Sequence, residues 1–453
     1  MNIMKITIIT VFPEFYDSFF KHSLISRAIQ NGVLSVNFIK FSDMCEPKER
    51  IDTQICGPGV GMLIKPEVVQ NAIEKAENLW GQGFKIFFSP QGEKMDQILL
   101  KNLANNFLIK DSKKDEYNSK FNNNHIILVC ARYEGLDQRV EDFYADLVLS
   151  VGDYVLMGGD LPAQLFIESF LRLVPGIIGK SESVEKDSFY GAFLDYPSYC
   201  LPKSWKNIDV PEVLLSGNHA LIDEWRQNEA AKKTIFKRFD WFISSNPDIN
   251  EIKTAKKFIP KHYVALMHSQ VLVQGDKVGD TSITSLDIHD IARSSATYDI
   301  KNYFVVSGLK DQQKILNTFL DFWKSEDGKD YNFSRFQAVN RIIPALSFSD
   351  IIDKIKEIEG LEPIVITTSA KTSNLNNNGP KIIDYNSQGE IFSQKRPILF
   401  VFGTGQGLSN EILDKSDYLL LPIKGLSDYN HLSVRSAAAI ILDRWLGLKN
   451  RVE

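Results

Sequence analysis

The chain has 453 residues, 43% hydrophobic and 24% charged, which exceeds what one hydrophobic core sustains and sets an expectation of two or three ordinary soluble domains. A formal net charge of −5 does not mark a protein drawn to nucleic acid by overall charge. Its four cysteines lack the paired spacing of a zinc site or disulfide framework, so no metal site is expected and a reduced, cytoplasmic setting fits. The first apolar run, residues 6–12, is too short to span a bilayer and lacks the flanks of a signal peptide.

Strand-like apolar runs alternate with helical stretches from residue 5 to about 165, the layering of an α/β fold. Three runs end in small or polar loops. Residues 84–88 lead into Ser89-Pro-Gln-Gly92, 126–129 into Cys130-Ala-Arg-Tyr-Glu-Gly135, and 146–151 into Gly152-Asp153, followed by a short apolar step and Gly158-Gly159. Glycines there let the backbone approach something closely with no Cβ in the way. Such loops are either strand–turn–helix corners or a ligand site, since ligands of open α/β sheets sit outside the strands' carboxyl ends. Residues 110–124 read as an exposed polar insertion, and Pro175-Gly176 with 181–188 as a mobile connector.

A smaller helical unit follows. A helix from His219 puts Arg226, Lys233 and Lys237 on one face and Ile235, Phe239 and Phe242 opposite. From 226 to 261 nine Lys/Arg stand against four Asp/Glu, a local +5. That surface is either a solvated helix face or one that steers phosphate-bearing RNA. Ser244-Ser-Asn-Pro-Asp248 then breaks the pattern.

Past residue 260 a second α/β pattern has apolar runs at 263–267, 303–306, 363–366, 398–402 and 418–421. Its strand-end loops are Thr367-Thr-Ser369, Gly403-Thr-Gly-Gln-Gly407 and Pro422-Ile-Lys-Gly425. The glycine loop lacks both the Gly-Lys-Ser/Thr ending of a P-loop and the Rossmann spacing. Residues 373–379 look like a flexible asparagine-rich loop.

Ser89-Pro-Gln-Gly92, Cys130-Ala-Arg-Tyr-Glu-Gly135, Val151-Gly-Asp-Tyr-Val-Leu156, Asp187-Ser-Phe189 and Leu215-Ser-Gly-Asn-His219 occur in the order seen in bacterial tRNA (guanine-N1)-methyltransferases. The chain resembles that family from Ile6 to about Asp240. The resemblance implies a trefoil-knotted α/β domain of the SPOUT class that binds S-adenosylmethionine in the knot, works as a homodimer with active sites at the subunit interface, and methylates guanine 37 of tRNA. Gly403-Thr-Gly405, Thr284-Ser-Leu-Asp-Ile-His-Asp-Ile-Ala-Arg293 and Asn430-His-Leu-Ser-Val-Arg435 make residues 261–449 similar to an RNA-methyltransferase family of the same knotted class. The expected organisation is two knotted domains, 1–165 and 261–449, separated by a connector (166–188), a helical tRNA-recognition domain (189–248) and a linker (249–260). The second domain is read either as a further S-adenosylmethionine-dependent enzyme or as a non-catalytic RNA-binding or dimerisation module.

By resemblance Asp187 is the general base and Arg172 its electrophilic partner, with structural ion pairing as the alternative for Arg172. The first cofactor pocket is expected from Phe88, Ser89 and Pro90, from Ala131, Tyr133, Glu134 and Gly135, and from Val151, Gly152, Asp153, Tyr154, Val155 and Leu156, with Gly158, Gly159 and Pro162 alongside. The second is expected from Thr367, Thr368, Gly403, Thr404, Gly405, Leu421, Pro422, Ile423 and Leu432. Lys233, Lys237 and Arg435 are the candidate RNA-facing cations. The chain departs from the family pattern at Ala131, where glycine is usual, and at Pro58 within the glycine-rich loop that ends at Gly61. Proline stiffens that loop and removes a donor.

Overall fold

Alternation within the apolar runs decides the first layer. In the run at 126–129, Ile126 and Leu128 enter one apolar cluster and Ile127 and Val129 another, as in a parallel sheet covered on both faces. The computed structural model describes residues 3–58, 60–108, 121, 124–177, 187–275, 277–370 and 379–449. The chain divides into two units, Met1–Tyr190 and Gly191–Glu453.

Unit 1 carries five parallel strands: β1 (Met4–Thr10), β2 (Leu34–Lys40), β3 (Phe84–Lys94), β4 (His125–Val129) and β5 (Leu147–Ser150). Their spatial order is β2-β1-β4-β3-β5, so the fourth strand inserts between the first and third. Helix α1 (Asp160–Leu171) follows β5 and buries Pro162, Ala163, Phe166, Ile167 and Phe170. It runs on through 166–171, where a connector is expected, because Phe166, Ile167 and Phe170 keep the helical apolar spacing and join the sheet's cluster. Of the expected insertion, 110–120 and 122–123 lie outside the described residues, as do 178–186 of the connector and 373–378 of the asparagine-rich loop.

After a short hairpin, Ser204–Trp205 with Ile208–Asp209, and the short helix Glu212–Leu215, unit 2 carries helices α2 (His219–Lys237), α3 (Phe239–Ser244) and α4 (Ile249–Ala255). The Asn218 side chain accepts from Leu221 N–H to start α2. Asp248 and Glu251 close a capping box on α4, so the stretch expected as a linker begins as a helix. Ile235, Phe239 and Phe242 share one cluster with Ile391, Phe392 and Phe400 of the second α/β layer. The Phe239 and Phe392 rings meet edge to face at 5.1 Å. The helical segment thus has its apolar side buried by the layer that follows it.

That layer has strands β6 (His262–Met267), β7 (Asn302–Val306), β8 (Ile342–Ala345), β9 (Ile364–Thr368), β10 (Lys381–Ile383), β11 (Ile398–Gly403) and β12 (Tyr418–Leu420). They form one sheet in the order β8-β7-β6-β11-β9-β12-β10. Without the two outer strands, the arrangement is second-first-fourth-third-fifth in chain order, the same as in unit 1. Helices α5 (Ser285–Thr297) and α6 (Val434–Leu446) cover this sheet, and Trp445 of α6 packs on Phe400 at 5.4 Å.

His262, at the start of β6, is fully enclosed. Its Nε2 accepts from Trp445 Nε1 at 3.1 Å, which leaves Nδ1 to donate to the Pro260 carbonyl at 2.8 Å. Only the neutral ring satisfies both bonds, and burial pushes its pKa down to about 4. Because the unfolded histidine titrates near 6.5, the unfolded chain takes up the proton first. The contribution to stability is complete above about pH 6.5 and is lost as the pH falls towards 4. His262→Gln keeps a donor and an acceptor but cannot titrate. It is expected to remove about 2–3 kcal/mol of the acid-induced loss in unit 2, read as the difference between the two proteins' denaturant midpoints at about pH 7 and about pH 4.5.

Candidate functional site

In unit 1 the expected site is built from a bulge within β3 and the loops at the carboxyl ends of β4 and β5. Phe88 and Glu93 both pair with Leu149 of β5, so Ser89-Pro-Gln-Gly92 bulges out within β3 and does not end it, as the sequence pattern had implied. Gly92 lets the strand rejoin, since a Cβ there would lie 2.6 Å from the Val148 carbonyl. Phe88 is buried, Ser89 half-buried and Pro90 exposed.

After β4, Cys130 N–H donates to the Ile9 carbonyl at 2.9 Å. The chain then turns through Tyr133 (φ +58°) and Gly135 (φ +117°). A short antiparallel hairpin, Asp52–Gln54 with Met62–Ile64, pins this loop. Glu134 N–H donates to Met62 O and Ile64 N–H to Gly135 O, each at 3.1 Å. A Cβ on Gly61 would fall 2.3 Å from Glu134 Cγ. The glycine-rich loop therefore ends against Glu134, while Gly57 and Pro58 are exposed.

After β5, Gly152 (φ +154°) is buried beneath the Tyr154 ring, and Tyr154 OH donates to Val151 O at 3.2 Å. Asp153 is exposed and pairs with Lys94 at 3.4 Å. Tyr154, Val155 and Met157 are exposed and Leu156 is half-buried. Gly158 and Gly159 both approach other protein atoms closely. A Cβ on Gly158 would sit 2.6 Å from Arg132 Cδ, and one on Gly159 would sit 2.8 Å from Cys130 Cα. Gly159 N–H also donates to Ala131 O at 2.8 Å. Pro162 is buried in the first turn of α1. Together, exposed apolar side chains over turning backbone suit a planar, partly apolar nucleoside with a polar edge.

Arg172 caps the carboxyl end of α1 and its guanidinium pairs with the Asp187 carboxylate. Both side chains are about half exposed. The two residues expected to do the proton and charge chemistry are thus in contact within one chain.

Sequence reading missed Asp160, which is 1% exposed. Its Oδ1 accepts from Thr10 Oγ1 at 2.6 Å and Tyr16 OH at 3.1 Å, and its Oδ2 accepts from Arg132 Nε at 2.9 Å and Nη2 at 2.8 Å. The only local signal is an acid placed directly after Gly158-Gly159. Burial and the neighbouring Asp160 charge hold the Tyr16 and Cys130 protons well above their ordinary range.

In unit 2 the expected donor-site residues divide between internal bonding and exposure. Thr367 Oγ1 donates to Tyr418 O at 3.2 Å and Thr368 Oγ1 to Val401 O at 3.1 Å. Thr404 Oγ1 donates to Met267 O at 2.8 Å and contacts Thr281 Oγ1 at 2.5 Å. A Cβ on Gly403 would lie 2.7 Å from Leu408 N, and one on Gly405 (φ +60°) 2.6 Å from Leu272 O. Leu272 belongs to a hairpin, Val271–Val273 with Lys277–Gly279. This hairpin pins the loop through Gln406 N–H to Leu272 O and Leu272 N–H to Gly407 O, both 2.8 Å. Leu421 and Leu432 are exposed, and Pro422 and Ile423 half-buried.

The candidate RNA-facing cations also divide. Lys233 pairs with Asp195 at 2.7 Å. Arg435 bridges to Asp290 at 3.0 Å and Asp287 at 3.4 Å on α5, a tie within unit 2. Arg226 lies over the Tyr196 ring at 4.8 Å. Lys237 is exposed.

These contacts separate steric need from ligand binding. Gly159→Ala and Gly405→Ala are each expected to destabilise their own unit by about 1–3 kcal/mol, because the added methyl meets backbone that cannot move aside. The loss is read in thermal melts of the protein without added S-adenosylmethionine.

A family model described as tRNA (Guanine-1)-methyltransferase TrmD matches residues 4–244. Another, described as SAM-dependent RNA methyltransferase, matches residues 261–447. A curated relative from Nitratidesulfovibrio vulgaris is 34% identical over 450 residues, covering 98% of this chain and 99% of its own length. One from Oleidesulfovibrio alaskensis is 33% identical over the same span and coverage. One from Metamycoplasma arthritidis is 43% identical over 239 residues, 52% of this chain and 95% of its own length. All three are named tRNA (guanine-N(1)-)-methyltransferase. The chain belongs to the tRNA (guanine-N1)-methyltransferase family and carries a SAM-dependent RNA methyltransferase domain behind it.

Proposed function

We propose that unit 1 methylates N1 of guanine 37 in tRNA and that unit 2 is a second RNA methyltransferase with a donor site of its own. The observation that carries the first part is the Arg172–Asp187 pair at the exposed end of α1. S-adenosylmethionine, when bound, supplies an electrophilic methyl group on its sulfonium. The Ser89, Ala131 and Val151 loops would hold its adenosine, with backbone groups around Gly152 reading the adenine edge. Asp187 takes the N1 proton of guanine as the N1–methyl bond forms, a role that contributes roughly 10²–10⁴-fold. Arg172 stabilises the negative charge that grows on O6. Lys237 and Lys233 meet tRNA phosphates, the latter by leaving Asp195.

The active unit is a homodimer in the cytoplasm, and each domain is a SPOUT trefoil knot. Supporting the dimer, Phe12 and Phe15 with Leu161 and Leu165 of α1 are all exposed by 40% or more, a patch suited to a second copy. That copy would bring its own donor pocket to Asp187. Supporting the knot, β4 inserts between strands formed earlier, and the loops after β4 and β5 are locked by Gly159 N–H to Ala131 O.

Asp187→Asn keeps the shape but discards the basic oxygen. It is expected to slow single-turnover methyl transfer about 10²–10⁴-fold at neutral pH while leaving S-adenosylmethionine affinity nearly unchanged. Partial recovery should appear at high pH, where guanine sheds its proton unaided. Full activity at neutral pH would remove Asp187 from the role of base.

For unit 2, titration calorimetry of the full chain with S-adenosylmethionine is expected to give two sites per chain. One site would leave residues 261–449 as a non-catalytic module. The threonine and glycine contacts above would then be turn and strand geometry alone.

A further inference from the structure

A buried carboxylate needs hydrogen-bond donors on both oxygens, or its desolvation cost exceeds what the fold can bear. Asp160 has them, and the donors come from separate parts of unit 1. Thr10 lies at the end of β1, Tyr16 in the short helix Pro13–Tyr16, and Arg132 in the loop after β4. Asp160 itself opens α1, directly after the loop from β5. One carboxylate thus ties two segments of the expected donor slot, the loop after β4 and the loop after β5, to the end of β1 and the short helix beyond it.

The route of Arg132 adds a constraint. Its stem crosses Gly158, where a Cβ would lie 2.6 Å from Cδ, and its guanidinium lies 5.1 Å from the Phe12 ring and 5.6 Å from the Phe15 ring. The side chain is 17% exposed. With Nε and Nη2 both committed to Asp160 Oδ2, this arginine is not a free cation for tRNA phosphate. We propose that Asp160 and Arg132 are positioning residues of the methyl-donor site. They hold the loop at 131–135 against the loop at 151–159 at the spacing the donor requires, and neither touches the reacting atoms. This rests on the placement of the donor in those loops proposed above.

Two other roles are weaker on these contacts. A device for stability alone gains little from a buried ion pair over an apolar pair of the same volume. A role as proton carrier fails because Thr10, Tyr16 and Arg132 enclose the carboxylate away from solvent.

The test measures Asp160→Asn, Arg132→Gln and the double variant in the full-length protein. An asparagine removes the charge and keeps only one acceptor oxygen, so it must present a donor either to the guanidinium or to the Thr10 and Tyr16 hydroxyls. Each single variant is expected to raise the KM for S-adenosylmethionine about tenfold or more, with the KM for tRNA and kcat at saturating donor within about twofold. The double variant should be no worse than the poorer single, because the pair acts as one unit. Arg132→Lys, which keeps the charge but only one point of contact, should recover part of the loss and serves if Asp160→Asn does not fold. Gly152→Ala, which puts a methyl under the Tyr154 ring in the donor loop itself, is the control. The proposal is overturned if the folded single variants bind the donor like the parent while Gly152→Ala does not. It is also overturned if donor, tRNA and kcat effects all fall together with the melting temperature. If Gly152→Ala too binds like the parent, the donor lies elsewhere and the placement fails first.

Discussion

Where Gly159 passes Cys130, two stretches of backbone meet with no side chain between them, and most of unit 1 is arranged around that contact. Any Cβ on Gly159 would push the chains apart, so the Gly159–Ala131 hydrogen bond exists only with glycine there. The contact fixes where α1 begins and hence where Arg172, at its far end, presents its guanidinium. It also brings Asp160 next to Thr10 and Arg132. Strand order alone would place these loops on one edge of the sheet; this contact sets the distance between the loops after β4 and β5.

Some of this was legible in the sequence and some was not. The apolar runs in β1, β4 and β6 read directly as strands, because burial on both faces leaves a continuous signal. The start of α2 at His219 could be read from Asn218 before a helical pattern. The end of α1 could not, because Phe166, Ile167 and Phe170 look alike as core or as connector. Ser89-Pro-Gln-Gly92 read as the end of a strand because proline and glycine usually end one; register with Leu149, a long-range property, decides that it is a bulge. The Asp160 network was invisible because its members come from four places in the chain. The glycines were correctly read as points of close approach, but their neighbours in space, Arg132 and Leu272, cannot be read from local sequence.

The two sheets reach the same five-strand order with no sequence repeat between them, and each pins the loop after its fourth strand with a short hairpin. In unit 1 that hairpin comes after β2; in unit 2 it follows β6 directly. The same mechanical problem, a glycine-bearing loop held to within hydrogen-bond distance, is met by different segments of chain. Rigidity of that loop is thus common to both units, and the means of supplying it is not. The charge arrangement also differs. Unit 1 clamps its loop with an ion pair, whereas unit 2 uses Thr281, Thr404 and the His268 Nδ1 contact with Thr281 at 3.1 Å.

The apolar side of α2 and α3 is finished by residues that arrive more than a hundred positions later, among them Ile391 and Phe392. Gly389 is drawn so close to this segment that a Cβ would meet the Phe236 carbonyl at 2.4 Å. Unfolding of the helical segment and of the second sheet is therefore one cooperative event, and hydrogen exchange in α2 should report the stability of the sheet as a whole. A chain stopping just after α3 would leave Phe239, Phe242 and Ile243 without cover. In this chain the second methyltransferase domain is also part of the scaffold on which the basic helix stands, so damage to its core is felt at that helix as well.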